Sequence, residues 1–281
     1  MSEEGRAPAA AAAAARVRIA ELSERAQRSN YRGSWALFYK EILRFWRIAG
    51  QTVVSPVLTT MLYFLVFGFS LGARLQEIDG VPYIDFLVPG LVMLALISNA
   101  YMNSAFSLFI TKIQGTIVDI LVTPLSPLQI LLGYVGAAIA RAMLIGTIIW
   151  VVAMLMGASA WHNPLIIFVF MLLTALAFAL LGLIVAILGR DFDHINLLPS
   201  FVIMPLTFLG GVFYSIAMLP SPWDRVSLFN PVLYMVNGLR YGMTGTSDVP
   251  IEQGLVLLVL LNVVFGVGAV WLLRSGKNLR E

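Results

Sequence analysis

The sequence predicts an all-α membrane protein with six transmembrane helices, an N-terminal amphipathic interfacial helix, and re-entrant outer helices before the last span. Two observations carry this prediction. Of the 281 residues, 59% are hydrophobic and only 12% are charged, against about 25% charged in an ordinary soluble domain. These charged side chains are too few to cover a water-soluble protein of this size. They also leave six long windows that contain no Asp, Glu, Lys or Arg.

The six uncharged windows each have the length of about 20 residues that a helix needs to cross a hydrocarbon core of roughly 30 Å. They are residues 52–72, 86–110, 142–160, 164–188, 196–216 and 254–273. Because unsatisfied backbone groups are costly in lipid, we expect helices. A β-barrel would need segments of about 10 residues that alternate between apolar and polar, and continuous apolar runs such as Leu255–Leu261 lack that alternation.

The distribution of Lys and Arg predicts the orientation in the membrane. With the N-terminus inside, 15 of the 18 basic residues lie on the cytoplasmic side, and three lie in the outer loops. We therefore expect both termini in the cytoplasm. The net charge of +3 reflects this asymmetry and does not indicate a nucleic-acid partner. The absence of cysteine excludes a disulfide scaffold and a thiolate metal site.

Residues 1–30 are predicted to form a mobile, low-complexity extension, to which the sequence assigns no role. Glu3 and Glu4 occupy what would be the positive region of a signal peptide, and the run Ala9–Ala15 is only weakly hydrophobic. A signal peptide is therefore not expected. Residues 31–281 are predicted to form the transmembrane domain.

Residues 35–49 predict an amphipathic helix. At 100° per residue most apolar side chains fall on one arc, with Leu37 and Ile48 as exceptions. The other arc holds Lys40, Glu41, Arg44 and Arg47. This pattern favours a helix in the cytoplasmic headgroup layer, with Trp35 and Trp46 at the interface and the cations near lipid phosphates. Composition alone favours an inert membrane anchor over an active coupling role.

The connection at Thr111–Gln129 predicts a second short helix on the cytoplasmic side. Its apolar residues recur at helical spacing, and Pro124 and Pro127 end it before the chain re-enters the membrane. The members of this apolar series are Ile113, Ile117, Ile120 and Leu121. Such a helix could dock into the groove of a cytoplasmic partner, although spacing alone favours an ordinary interfacial connector.

Arg141 lies inside a long apolar run, Leu128–Ala160. Placing its charge in the middle of the bilayer would cost about 2.5–3.5 kcal/mol. We therefore expect Arg141 at the cytoplasmic interface, with Leu128–Ala140 leading into the span. A substrate-binding role for this residue is the alternative.

The fifth window is interrupted by Pro199, Pro205 and Gly210-Gly211, and more prolines follow it. The apolar stretch Val226–Leu239 is too short to span a bilayer. The pattern suggests helices that enter the outer leaflet and return, which is tolerated where protein or a cavity satisfies the broken backbone. This region is the candidate outer gate, with Gly210, Gly211, Pro220, Asn230, Pro231 and Arg240 as its candidate residues.

No catalytic, cofactor-binding or metal-binding residue is predicted. The sequence lacks a nucleophile elbow, a metalloprotease motif and a Walker A motif. The acidic residues and the histidine of Arg190–His194 have no supporting ligands elsewhere, which favours a solvated cytoplasmic turn over a metal site. If the protein drives transport with ATP, the ATPase must therefore be another polypeptide.

Three passages, Lys112–Gly146, Arg190–Pro220 and Phe229–Gly242, resemble the membrane subunit of ABC-2 type exporters and are most similar to the YadH-like branch. The resemblance covers the chain from about Trp35 to its end. It implies a permease of the inner membrane that acts as a homodimer with a cytoplasmic ABC ATP-binding protein. ATP and Mg²⁺ would be bound by that partner, and no cofactor by this chain.

The resemblance also implies roles for three segments. Gln114–Leu121 matches the family's coupling helix, and the helix at 35–49 matches its interfacial helix, which contacts the ATPase. Residues 215–239 match the re-entrant outer helices. The coupling residues it implies are Gln114, Gly115, Thr116, Ile117, Asp119 and Leu121. The alternatives are a passive channel or membrane scaffold without ATP coupling, and a membrane-embedded enzyme.

Overall fold

The computed structural model describes residues 31–47, 49–72, 77–78, 80–159 and 161–276. Helices make up most of this described part of the chain, as the composition predicts. The predicted mobile extension at residues 1–30 lies outside the described residues.

Eleven α-helices, labelled α1 to α11, follow one another along the described residues. The first half contains α1 at Tyr31–Arg47, α2 at Ala49–Tyr63 with a π-helical continuation at Phe64–Leu71, α3 at Tyr83–Ile113, α4 at Ile117–Leu121 and α5 at Pro127–Leu155. The second half contains α6 at Pro164–Leu188, α7 at Phe192–Leu198, α8 at Met204–Phe208, α9 at Trp223–Ser227, α10 at Pro231–Thr244 and α11 at Ile251–Ser275. Two short antiparallel strands, β1 at Glu77–Ile78 and β2 at Val81–Pro82, precede α3.

Three helices begin with the same local sequence, a capping residue followed by proline. The capping residues are Ser126 for α5, Asn163 for α6 and Asn230 for α10. Each side chain accepts a hydrogen bond from a backbone N–H of the first turn. Proline lacks a backbone N–H. At the first helical position this costs no hydrogen bond, because an N–H there would have no partner within the helix. These pairs explain where α5, α6 and α10 begin.

Five helices of the described residues are long and apolar enough to cross a membrane, namely α2 with its continuation, α3, α5, α6 and α11. They cover five of the six predicted windows, with a difference in α5. The predicted window there is 142–160, whereas α5 begins at Pro127 and ends at Leu155. The apolar stretch before Arg141 is therefore part of the same continuous helix, and Arg141 lies halfway along it.

The remaining window, 196–216, is a broken helix. α7 passes into a π-helical segment at Pro199–Ile203 and then into α8, giving pieces of seven, five and five residues. Proline removes a backbone donor and clashes with the preceding turn, which accounts for the break. At 1.5 Å per residue the run is roughly 25 Å long, short of a hydrocarbon core of about 30 Å. The count of six spans therefore stays a prediction.

α3 lies at the centre of the helix bundle and packs against α6, α5 and α10. The approach of α6 is close, because a Cβ atom on Gly182 would lie 2.5 Å from the carbonyl oxygen of Tyr101. In contrast, most side chains of α2 and α11 are exposed or only partly buried. A helix that is apolar all round and lies at the periphery is typical of a lipid-facing span. α3 is thus the most buried of the five long helices.

Candidate functional site

The turn between α3 and α4 forms the tip of the predicted coupling segment. Gln114 ends α3, and Gly115 follows with φ +72°, a left-handed conformation that favours glycine. The Thr116 hydroxyl donates a hydrogen bond to the Thr111 carbonyl at 3.2 Å. Ile117 then places its side chain in the core, with only 4% exposed. The sequence therefore folds into a tight turn anchored by one buried isoleucine.

The predicted coupling residues divide into an outward and an inward set. Gln114, Gly115, Thr116 and Asp119 are exposed. Ile117 is buried, and Leu121 is partly buried against the core. The outward residues, together with the exposed Val118 and Val122, form what we call the α4 surface. This surface therefore combines polar groups with two exposed valines, and the buried Ile117 side chain anchors it to the bundle.

Lys112 connects the α4 surface to the turn that follows α6. Its Nζ donates hydrogen bonds to the carbonyl oxygens of Ile187 at 3.3 Å and Gly189 at 2.9 Å. A cation is favourable there, because the last carbonyls of a helix carry partial negative charge. The end of α6 is thereby held against the end of α3.

Asp191 caps α7 on the same side of the molecule. Its Oδ1 accepts a hydrogen bond from the His194 backbone N–H at 2.8 Å and lies 2.7 Å from His194 Nδ1. The backbone hydrogen bond, followed by the side-chain contact, holds the pKa of the Asp191 carboxyl below its usual range. The charged turn predicted at Arg190–His194 is therefore a helix start.

The predicted interfacial helix, α1, runs along the first half of α5. The Ser34 hydroxyl donates to the Gln129 carbonyl at 3.1 Å. Further along, a Cβ atom on Gly133 would lie 2.7 Å from Leu37. At the far end the guanidinium of Arg141 lies 5.2 Å from the centre of the Phe45 ring. α1 is therefore docked on protein along its whole length.

The division of α1 into one apolar and one polar arc needs correction. Leu37, an exception to the arc, and Glu41, a member of the polar arc, are both buried, and they line up with Phe45 at four-residue spacing. The physical reason is that α1 has two apolar faces. One packs on α5, and the other is exposed and holds Trp35, Tyr39, Leu43 and Trp46. The prediction of a single apolar arc combined these two faces into one.

The five predicted residues of the interfacial helix do not act as one group. Trp35 and Trp46 are 66% and 62% exposed, and Lys40 and Arg47 are also exposed. Arg44 is different, because it turns inward and binds side chains of the bundle. Four of the five are therefore exposed, and their position in the headgroup layer stays a prediction.

Arg44 belongs to a polar cluster that joins α1, α3 and α5, which we call the inner cluster. Its members are Glu41, Arg44, Asn103, Ser107 and Arg141. Glu41 Oε2 accepts hydrogen bonds from Arg44 Nε at 3.0 Å and from the Ser107 hydroxyl. Asn103 Oδ1 accepts from Arg44 Nη2 at 3.4 Å and from Arg141 Nη1 at 3.2 Å. Two arginines thus converge on one amide oxygen.

The sequence prediction missed Glu41, Asn103 and Ser107 as partners of these arginines. A usable signal was present, because Asn103 is a polar residue inside a window without charge. Polar side chains in a span usually face the protein interior and find partners there. No spacing rule, however, relates residues on three helices that are distant in sequence.

A second polar cluster lies among the predicted gate residues, and we call it the outer cluster. Its members are Phe86, Gly211, Ser215, Arg240 and Asp248. Arg240 is only 1% exposed. Its Nη2 donates to the Gly211 carbonyl, its Nη1 lies 3.5 Å from Asp248 Oδ2, and its guanidinium carbon lies 3.8 Å from the centre of the Phe86 ring. The Ser215 hydroxyl donates to Asp248 Oδ1 at 2.9 Å.

The other predicted gate residues lie around this cluster. Asn230 Nδ2 donates to the Leu206 carbonyl at 2.6 Å, which ties the start of α10, where Pro231 is the first residue, to α8. A Cβ atom on Gly210 would lie 3.0 Å from the Val232 side chain. Pro220 is exposed and lies apart from these contacts. The sequence prediction missed Asp248, although it is an acidic residue only eight positions after Arg240.

The comparisons with known proteins agree with this architecture. Residues 32–244 match the family model described as ABC-2 type transporter. The chain belongs to the ABC-2 type transporter family. The matched range includes α1 except Tyr31, the α4 surface, the broken helix and the whole of α10, and it confirms the family resemblance seen in the sequence.

Two relatives of this ABC-2 protein illustrate the range of similarity. The inner membrane transport permease YadH of Escherichia coli (strain K12) is 40% identical over 88% of this chain and 96% of the relative. Nodulation protein J of Rhizobium leguminosarum bv. viciae is 27% identical over 86% of this chain and 94% of the relative. The protein is therefore an ABC-2 type membrane transport permease.

Proposed function

We propose that this chain is the membrane-spanning permease subunit of an ATP-driven exporter in the cell inner membrane. It forms the substrate path as a homodimer and couples to a separate cytoplasmic ABC ATP-binding protein. That partner binds ATP and Mg²⁺, and the chain itself binds no cofactor and is not an enzyme. Family membership and the name of the YadH relative support this proposal.

The observation that carries the proposal is the construction of the α4 surface. Its exposed residues lie around Asp119, while Ile117 and Lys112 fix the turn to the bundle core and to α6. A partner that moved this surface would also move α3, because α4 follows α3 after one tight turn. α3 in turn packs against α5, α6 and α10. Movement at the cytoplasmic face therefore has a rigid path to the outer cluster.

We further propose six spans with both termini in the cytoplasm. In this arrangement α7 and α8 with the segment between them form the fifth span, which is short and broken. α9 and α10 form the re-entrant outer helices. Two features support this topology. α10 has 14 residues, roughly 21 Å, and its Gly242 carbonyl accepts the Asn163 N–H at 2.6 Å, at the loop between α5 and α6.

In the proposed mechanism, ATP draws two ATP-binding subunits together because it binds the closed pair more tightly than the open pair. That difference in affinity supplies the free energy for a shift of the permease dimer toward an outward-open state. The α4 surface transmits the movement, and α1 gives the ATP-binding protein a second contact. The broken helix and the outer cluster form the gate that opens.

The experiment that tests coupling is a charge reversal on the α4 surface, Asp119→Lys. We expect it to abolish co-purification of the ATP-binding protein in mild detergent, through a loss of affinity of at least about tenfold, or 1.4 kcal/mol, and to reduce ATPase stimulation in proteoliposomes. The control is Glu252→Lys, which reverses an exposed carboxylate at the start of α11 and should leave both readouts unchanged. Unchanged stimulation and export in the Asp119 variant would contradict the assignment. Transport that persists without any ATP-binding partner would favour the channel or scaffold.

A further inference from the structure

We propose that the inner cluster binds the phosphate group of an anionic membrane lipid. The cluster opens onto a cavity of about 210 Å³ between α1, α3 and α5. Arg44, Arg141 and Asn103 form the polar part of the cavity wall. Phe45, Met102 and Phe106 are among its apolar residues. This combination fits an amphiphile with a charged head.

The charges at this cavity do not balance. Two arginines face one carboxylate, and Glu41 already accepts hydrogen bonds from Arg44 and Ser107. Among the described residues Arg141 pairs with no carboxylate, and its buried Nε has no hydrogen-bond partner. Arg141 is only partly buried, but withdrawing part of its charge from water without a compensating anion still has a cost. A bound anion would remove that cost.

The geometry of the two guanidinium groups selects the chemical class of the anion. Both groups donate to the same atom, Asn103 Oδ1, and both arginines line the same cavity. Arginine binds phosphate oxygens through paired N–H donors, and these charge-assisted hydrogen bonds are among the stronger ones in proteins. A phosphate group could therefore bind both arginines at once.

The position of the cluster along the helices indicates a lipid as the source of the phosphate. α1 ends at Arg47, next to Arg44, and the membrane-spanning α2 begins at Ala49. Arg44 therefore lies at the level where the α2 span starts. In the orientation given under Proposed function, on which this step rests, that level is the cytoplasmic headgroup layer. The exposed Trp46 beside it is typical of the membrane interface.

A lipid bound here would join three helices. Arg44 belongs to α1, Asn103 to α3 and Arg141 to α5, so one phosphate contacting both arginines would hold α1 against the bundle. α1 is also the proposed second contact of the ATP-binding protein. Anionic lipid would thereby favour the docked position of α1, because a ligand stabilises the state that it binds better.

The test measures lipid binding to the purified full-length protein after delipidation. Phosphatidylglycerol, phosphatidylcholine and inorganic phosphate are titrated separately, with thermal unfolding and native mass spectrometry as readouts. We expect phosphatidylglycerol to raise the unfolding temperature and to remain bound in the spectrometer. Phosphatidylcholine and inorganic phosphate should each bind at least about tenfold more weakly, a difference of 1.4 kcal/mol.

Two substitutions and one control locate the site. Arg141→Gln and Arg44→Gln should each weaken phosphatidylglycerol binding at least about tenfold, whereas Arg47→Gln, at an exposed arginine on the same helix, should change it less than twofold. If Arg141→Gln does not fold, the proposal is still tested by Arg44→Gln and by the comparison of lipids on the unsubstituted protein. Equal binding by all variants would overturn the proposal. Inorganic phosphate binding as tightly as phosphatidylglycerol would overturn the lipid as its source. Loss of ATPase coupling alone would bear only on the proposed function.

Discussion

The outer and inner clusters both place arginine among apolar helices, but they differ in charge balance. In the outer cluster one arginine, Arg240, meets one carboxylate, Asp248, and also contacts a carbonyl oxygen and an aromatic face. In the inner cluster two arginines meet one carboxylate beside a cavity. In the first arrangement a carboxylate of the same chain balances the charge of the arginine. The second leaves an excess of positive charge.

The difference shows what each cluster contributes to the protein. The outer cluster joins segments that follow breaks in the helices, namely the loop at Gly211, the start of α3 at Phe86 and the loop at Asp248 after α10. Its charges and hydrogen bonds replace helical backbone pairing where the chain is irregular. The inner cluster joins three regular helices that need no such support. Its unbalanced charge therefore indicates an external partner.

Among the substitutions that test this comparison, removal of the Asp248 carboxylate should lower the stability of the protein most. Asp248→Ala leaves Arg240 buried without its carboxylate and should lower the free energy of unfolding by about 3–5 kcal/mol, measured by denaturation in detergent micelles. The control is Glu252→Ala, which removes an exposed carboxylate only four residues later and should cost less than about 1 kcal/mol. Equal losses in the two variants would mean that the outer cluster does not stabilise the protein.

The second prediction concerns the packing of α10, which positions Arg240. A Cβ atom on Gly238 would lie 1.9 Å from the Phe170 ring on α6. Gly238→Ala should therefore force the two helices apart and cost about 1–3 kcal/mol or more. Gly50→Ala is the matched control, because a Cβ atom there meets nothing within 4 Å and alanine favours a helix over glycine by about 1 kcal/mol.

Unfolding of both glycine variants in detergent micelles measures this difference. Combining Gly238→Ala with Phe170→Leu should recover part of the loss, since neighbouring substitutions are not additive. A Gly238 variant as stable as the Gly50 variant would show that α10 is not held by close packing on α6.

The third prediction tests the inner cluster. Glu41→Gln keeps a hydrogen-bonding side chain but removes the carboxylate that accepts from Arg44 and Ser107. Docking of α1 should weaken by about 1–2 kcal/mol, which faster amide hydrogen exchange in Tyr31–Arg47 would detect. Lys40→Gln, at the exposed neighbouring position, should leave the exchange rates unchanged. Exchange that stays as slow in Glu41→Gln would show that α1 is docked by Leu37 and Phe45 alone.

The sequence was sufficient to predict the features that depend on neighbouring residues along the chain. Uncharged windows located five membrane-spanning helices, and proline placed the breaks around Pro199 and Pro205. Each of these depends on the length or spacing of consecutive residues.

The contacts that build the clusters could not be obtained from the sequence in the same way. Glu41 falls on the polar arc of α1, and only the position of α5 shows that this arc is partly buried. Asn103 and Arg141 are 38 residues apart, and they meet because α3 and α5 pack side by side. Asp248 pairs with Arg240 across a loop. Tertiary packing determines all of these contacts.

The smallest effect should come from Asp191, a carboxylate with hydrogen bonds but without burial. Its backbone and side-chain contacts with His194 lower its pKa in the folded protein, so its contribution to stability is present above the pKa of the unfolded chain. That contribution is lost as the pH falls through the folded value, below about 4. Exchange of the α7 amides should therefore speed up in this acidic range more in the unsubstituted protein than in Asp191→Asn, which caps without charge. Acid-induced exchange that speeds up equally in the two proteins would show that the charge of Asp191 does not stabilise the start of α7.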